Sequence, residues 1–114
     1  MENNHNLRKA AKNLWNQTQV LRVLWPPVFD PVIRSLGRLG DEMGMDHDLA
    51  ELQAAIEKTS ILKEKDLEIV LKAVEGQRKK SQRLAWQLAG KIYAETPAAF
   101  SKRMKVYWEL MLKK

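Results

Sequence analysis

Residues 5–24 read HNLRKAAKNLWNQTQVLRVL, and apolar side chains recur in this stretch at the spacing of an α-helix. Leu7, Leu14 and Leu21 are seven residues apart, so they fall on one side of a helical projection. The same three-and-four spacing returns through the rest of the chain, whereas the period-two alternation of a β-strand does not. The sequence therefore predicts an all-α protein, folded as an antiparallel bundle of about five helices.

Prolines, glycines and capping residues divide the chain into these five predicted helices. A pair of prolines beginning at Pro26 ends the first helix, because proline disfavours helical backbone at the residue before it. Gly44 and Asp46 separate the second helix from the third, as a C′ residue and an N-cap. Thr96 and Pro97 begin the fifth helix as N-cap and first helical residue. The predicted helices span about 3–24, 28–43, 47–58, 63–94 and 97–112.

The bulk composition indicates one globular domain over residues 1–114, with 45% hydrophobic and 30% charged residues. The chain contains no cysteine, which excludes disulfides, cysteine-bound zinc and thiol nucleophiles. It has neither an apolar run of about 20 residues nor the apolar segment of a secretory signal near its N-terminus. We therefore expect a cytoplasmic protein without a membrane span.

The charge balance points to an anionic partner. Lys and Arg number 20 against 14 Asp and Glu, which gives a formal net charge of +6. Such a protein attracts polyanions: nucleic acid, an anionic membrane surface or a phosphate polymer. The chain has no glycine-rich phosphate loop, no GxSxG and no kinase motif, so we expect a binding protein without a cofactor rather than an enzyme.

The first basic cluster lies on the first predicted helix. His5, Arg8, Lys9 and Lys12 fall within an arc of about 100°, opposite the leucine stripe and without an acidic residue. An ordinary solvated helix face is one explanation. The other is an anion site, because like charges one turn apart repel and a bound anion would relieve them.

The second cluster is Asp46-His47-Asp48, which allows three interpretations. The aspartates suit a helix start and His47 is then a surface residue. Alternatively, Asp48 orients the imidazole toward an anion. A third possibility is a metal or enzymatic site built from His5, His47 and Asp48, although their spacing is not that of a known zinc motif.

Further basic groups occur on the fourth and fifth predicted helices, where solvated faces are again the ordinary explanation. They comprise Arg78, Lys79, Lys80, Arg83 and Lys91 on the fourth helix, and Lys102, Arg103 and Lys105 on the fifth.

The succession of these clusters resembles the C-terminal half of a CHAD domain, the conserved histidine α-helical domain. The residues that carry the resemblance are His5-x-x-Arg8-Lys9-x-x-Lys12, Leu36-x-x-Leu39-Gly40, Gly44-x-x-His47-Asp48-Leu49-x-x-Leu52 and Tyr93-Ala94-Glu95-x-Pro97-x-x-Phe100-x-x-Arg103-x-x-x-Tyr107-Trp108.

The resemblance implies an all-helical fold that forms half of a channel between two similar bundles. It also implies non-catalytic binding of inorganic polyphosphate, with a homodimer as one way to complete the channel and polyphosphate granules as a place of binding. The chain departs from the family at Thr96, where lysine is frequent, and at Asn16, where an aromatic residue is frequent. The implied polyphosphate-binding residues are His5, Arg8, Lys9, Lys12, His47, Arg78, Arg83 and Arg103.

From the sequence we therefore expect cationic side chains of separate helices to converge on a shared, acid-poor groove that binds polyphosphate. Two alternatives stay open at this point. One is the metal-binding or enzymatic site described above. The other is a structural helical module whose basic faces bind RNA or an acidic protein partner.

Overall fold

The computed structural model describes residues 2–59 and 62–113, and within these ranges it contains helices and no strands. This confirms the all-α class. The elements are α1 (Glu2–Leu21), a 3-10 turn (Arg22–Leu24), α2 (Pro26–Thr59), α3 (Glu64–Ile92) and α4 (Pro97–Leu112).

The predicted boundary at Gly44 and Asp46 is wrong, because α2 runs through it without interruption for 34 residues. Asp46 is not an N-cap. Its side chain is buried in the middle of α2 and accepts hydrogen bonds from α3, where Arg78 and Gln82 lie opposite it. The backbone amides that a capping aspartate would bind are already bonded within the helix. Residues 2–59 and 62–113 therefore form four α-helices rather than five.

The helix boundaries predicted next to prolines agree with those in the structure. Trp25 separates the 3-10 turn from α2, and its carbonyl accepts hydrogen bonds from the amides of Val28 (3.0 Å) and Phe29 (3.2 Å). At the start of α4, the Thr96 hydroxyl accepts a hydrogen bond from the Ala99 amide at 3.1 Å. The predicted N-cap at Thr96, with proline at the first helical position, is thus confirmed.

Helix α2 is the central element, and α1 and α3 each pack against it. The core lies where the three helices meet, and its alanines allow the helices to approach closely. Helix α4 packs near the N-terminal end of α2. There the Tyr107 ring contacts Trp25 (centroids 5.4 Å apart) and Phe29 (6.2 Å) edge-on. The buried core cluster consists of Ala11, Leu39, Met43, Ala85 and Ala89.

The molecule is elongated, with extents of 68 × 20 × 18 Å and a radius of gyration of 19.1 Å. A compact domain of this length would have a radius of gyration of about 13 Å. Large apolar side chains consequently stay exposed, and none of the four tryptophans is buried. Leu14 on the leucine stripe is only partly buried.

Candidate functional site

A cavity of about 600 Å³ opens where the start of α1 meets the middle of α2 and of α3. Four of the predicted site residues line it: His5 and Arg8 from α1, His47 from α2, and Arg78 from α3. The three helices that carry these residues occupy separate parts of the sequence, and their packing brings the four side chains to one place. The cavity has the size of ordinary small-ligand sites.

Arg78 is held in place by a polar network between α2 and α3. Its Nε donates a hydrogen bond to Asp46 Oδ1 at 2.8 Å, and Gln82 Nε2 donates to the same oxygen at 3.0 Å. Among the described residues, the bond to Asp46 is the one hydrogen bond from the Arg78 side chain to another side chain. Because it passes through Nε, the terminal nitrogens of the guanidinium stay available to a ligand.

The carboxylate beside His47 is Glu51 rather than the predicted Asp48. His47 Nε2 lies 3.2 Å from Glu51 Oε1, one helical turn further along α2. Both side chains are more than half exposed, so the pair contributes little to stability. Asp48 is an exposed residue in the middle of α2, where it caps no helix end.

The cavity is not acid-poor, so that prediction is wrong. Glu42 and Asp46 line it together with Arg8 and Arg78. The two arginines and the two carboxylates balance in formal charge. Among residues 5–59 and 62–113, His5 and Arg8 have no carboxylate within ion-pair distance.

The remaining basic residues of α1 and α3 do not line this cavity. Lys9 and Lys12 are exposed on α1 outside the cavity, and Lys12 follows Arg8 by one helical turn. Arg83 is exposed on α3 and also lies outside the cavity. The structure thus joins half of the eight predicted residues in one place and leaves Lys9 and Lys12 beside it on α1.

Arg103 belongs to a different part of the molecule. It lines a second cavity of about 1070 Å³ between α1, α2 and the α3–α4 turn. Its guanidinium donates two hydrogen bonds to Glu95, at 3.0 Å through Nε and 2.8 Å through Nη2. The bonds from Arg103 lower the pKa of the Glu95 carboxyl, and those to Glu95 raise the pKa of Arg103. Arg103 is thus committed to a carboxylate and does not share the cavity with the histidines.

The CHAD domain family model matches residues 1–57, which is half of the 114 residues. The chain belongs to the CHAD family. This family is associated with polyphosphate binding and is generally a binding domain rather than a catalytic one. No curated protein and no solved structure matches the chain significantly.

The CHAD match covers α1, the 3-10 turn and nearly all of α2. It therefore includes His5, Arg8, Lys9, Lys12 and His47, all of which lie at the cavity or beside it on α1. Arg78, Arg83 and Arg103 lie beyond the matched range. The basic cluster of α1 and the histidine of α2 are thus the part of the site that falls within the family region.

The site residues predicted from the sequence do not include Glu42, Ser81, Gln82 and Trp86, which also line the cavity. A signal for two of them was present, because Gln82 and Trp86 follow Arg78 at intervals of four and therefore share its helix face. Glu42 and Ser81 gave no such signal. Their position depends on how α2 and α3 pack, which spacing along one helix does not determine.

The described residues contain no group of three His, Asp or Glu side chains placed to bind a metal ion together. The alternative site of His5, His47 and Asp48 therefore finds no support in the geometry. None of the described helices has the length and apolar character that crossing a bilayer requires.

Proposed function

We propose that this CHAD protein binds inorganic polyphosphate without catalysing a reaction. The observation that supports the proposal most is the convergence of His5, Arg8 and His47 on one cavity from two helices. Histidine and arginine both donate hydrogen bonds to phosphate oxygens, and arginine does so through a planar fork. The association of the family with polyphosphate agrees with this chemistry.

The proposed path of the polymer leaves the cavity along α1. Arg8 lies at the cavity, and Lys12 lies one turn further on the same helix face, with Lys9 beside it. Lysine serves here as a flexible point charge for successive phosphates. Arg83 and Arg103 have no place on this path, because one lies outside the cavity and the other is paired with Glu95.

Arg78 has a different proposed role from the residues on α1. Asp46 neutralises its charge but holds its guanidinium at the cavity wall. It therefore contributes oriented hydrogen-bond donors, whereas Arg8 contributes net positive charge.

The direct experiment is a polyphosphate titration of a double variant, Arg8→Ala with Lys12→Ala. We expect its affinity to fall about tenfold or more, because it loses two phosphate contacts of roughly 1 kcal/mol each. Its salt dependence should also become shallower, since fewer counterions are released. Both positions are exposed, so circular dichroism should show an intact bundle.

The matched control is Lys102→Ala with Lys105→Ala on α4, where both lysines are exposed and lie outside both cavities. The two double variants lose the same net charge. If both weaken binding equally, the protein attracts polyphosphate by its overall charge and the proposed site is wrong.

We further propose that residues 1–114 form a single CHAD-like bundle, half of a two-bundle channel, and that a second copy completes it. The elongated shape and the exposed apolar side chains support this, because a bundle that functions alone would bury more of them. Leu52 on α2 and Ile69 on α3 are examples, with 48% and 67% of their surface exposed. Polyphosphate granules in the cytoplasm are the proposed place of action.

A further inference from the structure

The cavity has an aromatic wall that a phosphate chain cannot use. Trp86 lines it from α3 with 51% of its surface exposed, and Leu7 and Met43 add apolar surface from α1 and α2. Inorganic polyphosphate has no apolar group to bury against an indole ring. Nucleobases, in contrast, stack on exposed tryptophan rings whatever their sequence.

The cavity also contains a polar group that suits a nucleoside better than a phosphate. The Glu42 carboxylate repels phosphate oxygens, but it accepts hydrogen bonds from ribose hydroxyl or base amino groups.

We infer that this cavity binds a nucleoside triphosphate, with the base stacked on Trp86 and the triphosphate bound by His5, Arg8 and His47. The inference rests on the proposed function, because the same cations bind phosphate in both cases. The ribose and the base edge lie toward Glu42. The cavity volume of about 600 Å³ is within the range of small-ligand sites.

The test compares three probes on the full chain by calorimetry at one pH and one ionic strength: ATP, inorganic tripolyphosphate and long-chain polyphosphate. ATP and tripolyphosphate carry similar charge, so their ratio of affinities isolates the nucleoside. We expect ATP to bind about tenfold more tightly, which lies in the range of one base stacked on an aromatic ring. In Trp86→Leu the ratio should fall to about one.

The matched control is Trp108→Leu on α4, because Trp108 is exposed to almost the same extent, 49%, and lies outside the cavity. This variant should keep the tenfold ratio. Equal affinities of ATP and tripolyphosphate in the wild type, or an unchanged ratio in Trp86→Leu, would overturn the inference. If long-chain polyphosphate still binds in that case, the proposed function stands. Binding of ATP without any binding of long-chain polyphosphate would instead overturn the proposed function alone.

Discussion

At the scale of single residues, the position of Asp46 shows how packing changes the role of a side chain. An aspartate near a glycine and before an apolar run favours an N-cap in the sequence, yet this carboxylate accepts hydrogen bonds from Arg78 and Gln82 on another helix. The partners are more than 30 residues away, so no local pattern predicts them. Asp48, two residues further along α2, is exposed.

The difference between the two aspartates gives a stability prediction. Asp46→Ala leaves Arg78 and Gln82 without their acceptor in a partly buried site, so we expect the free energy of unfolding to fall by about 1–3 kcal/mol. Asp48→Ala should change it by less than about 0.5 kcal/mol. Urea unfolding followed by circular dichroism measures both. Equal losses in the two variants would mean that the hydrogen bonds of Asp46 to α3 do not contribute to the free energy of unfolding.

At the scale of elements, three of the four predicted breaks between helices exist, and the break at Gly44 does not. The prolines after Leu24 and after Thr96 constrain the backbone at the residue itself, and both predicted breaks exist. Gly44 destabilises the helix by only about 1 kcal/mol relative to alanine. Burial of Leu39 and Met43 in the core of the same helix offsets this loss. A glycine alone therefore does not end a helix that tertiary contacts hold.

The leucine stripe of α1 illustrates a second limit. The spacing of apolar residues predicts which side of a helix faces inward, but it does not predict how deeply each side chain is buried. Leu14 lies on the predicted inner side and is only partly buried, on the wall of the second cavity, whereas Leu39 of α2 is completely buried. The depth of burial depends on α3 and α4, which cover α1 incompletely.

This contrast predicts unequal effects of the same substitution. Leu39→Ala should lower the free energy of unfolding by about 2–5 kcal/mol, because it leaves a void among Ala11, Met43 and Ala85. Leu14→Ala should lower it by about 1–2 kcal/mol, since its side chain already meets solvent. Chemical denaturation of both variants checks the difference. A larger loss at Leu14 would contradict the described packing of α1.

At the scale of the whole molecule, the elongated shape links the fold to the proposed function. Three helices gather cations at one cavity near the middle of α2, while the far half of α2 and the start of α3 form a hairpin with exposed apolar side chains. One copy thus presents the cavity beside surface that a second bundle could cover. The sequence resemblance predicted half of a channel, but the sequence alone did not predict which surface stays uncovered.

Pairing of two copies predicts a change of mass in solution. With a short polyphosphate of defined length, light scattering should give about twice the chain mass of 13.2 kDa, plus the ligand. The physical reason is that the polymer neutralises the positive charge that otherwise keeps two copies apart. A saturated complex that keeps the mass of one chain would contradict the pairing, although it would leave the cavity as the binding site.

NMR can test directly whether His5 and His47 both belong to the proposed phosphate site. The chain has two histidines, so each gives a resolved imidazole signal that His5→Gln assigns. We predict that both signals shift during one polyphosphate titration at pH 6.5 and yield the same dissociation constant. If neither signal moves while polyphosphate binds, or if the two report different constants, the cavity between α1 and α2 is not the phosphate site.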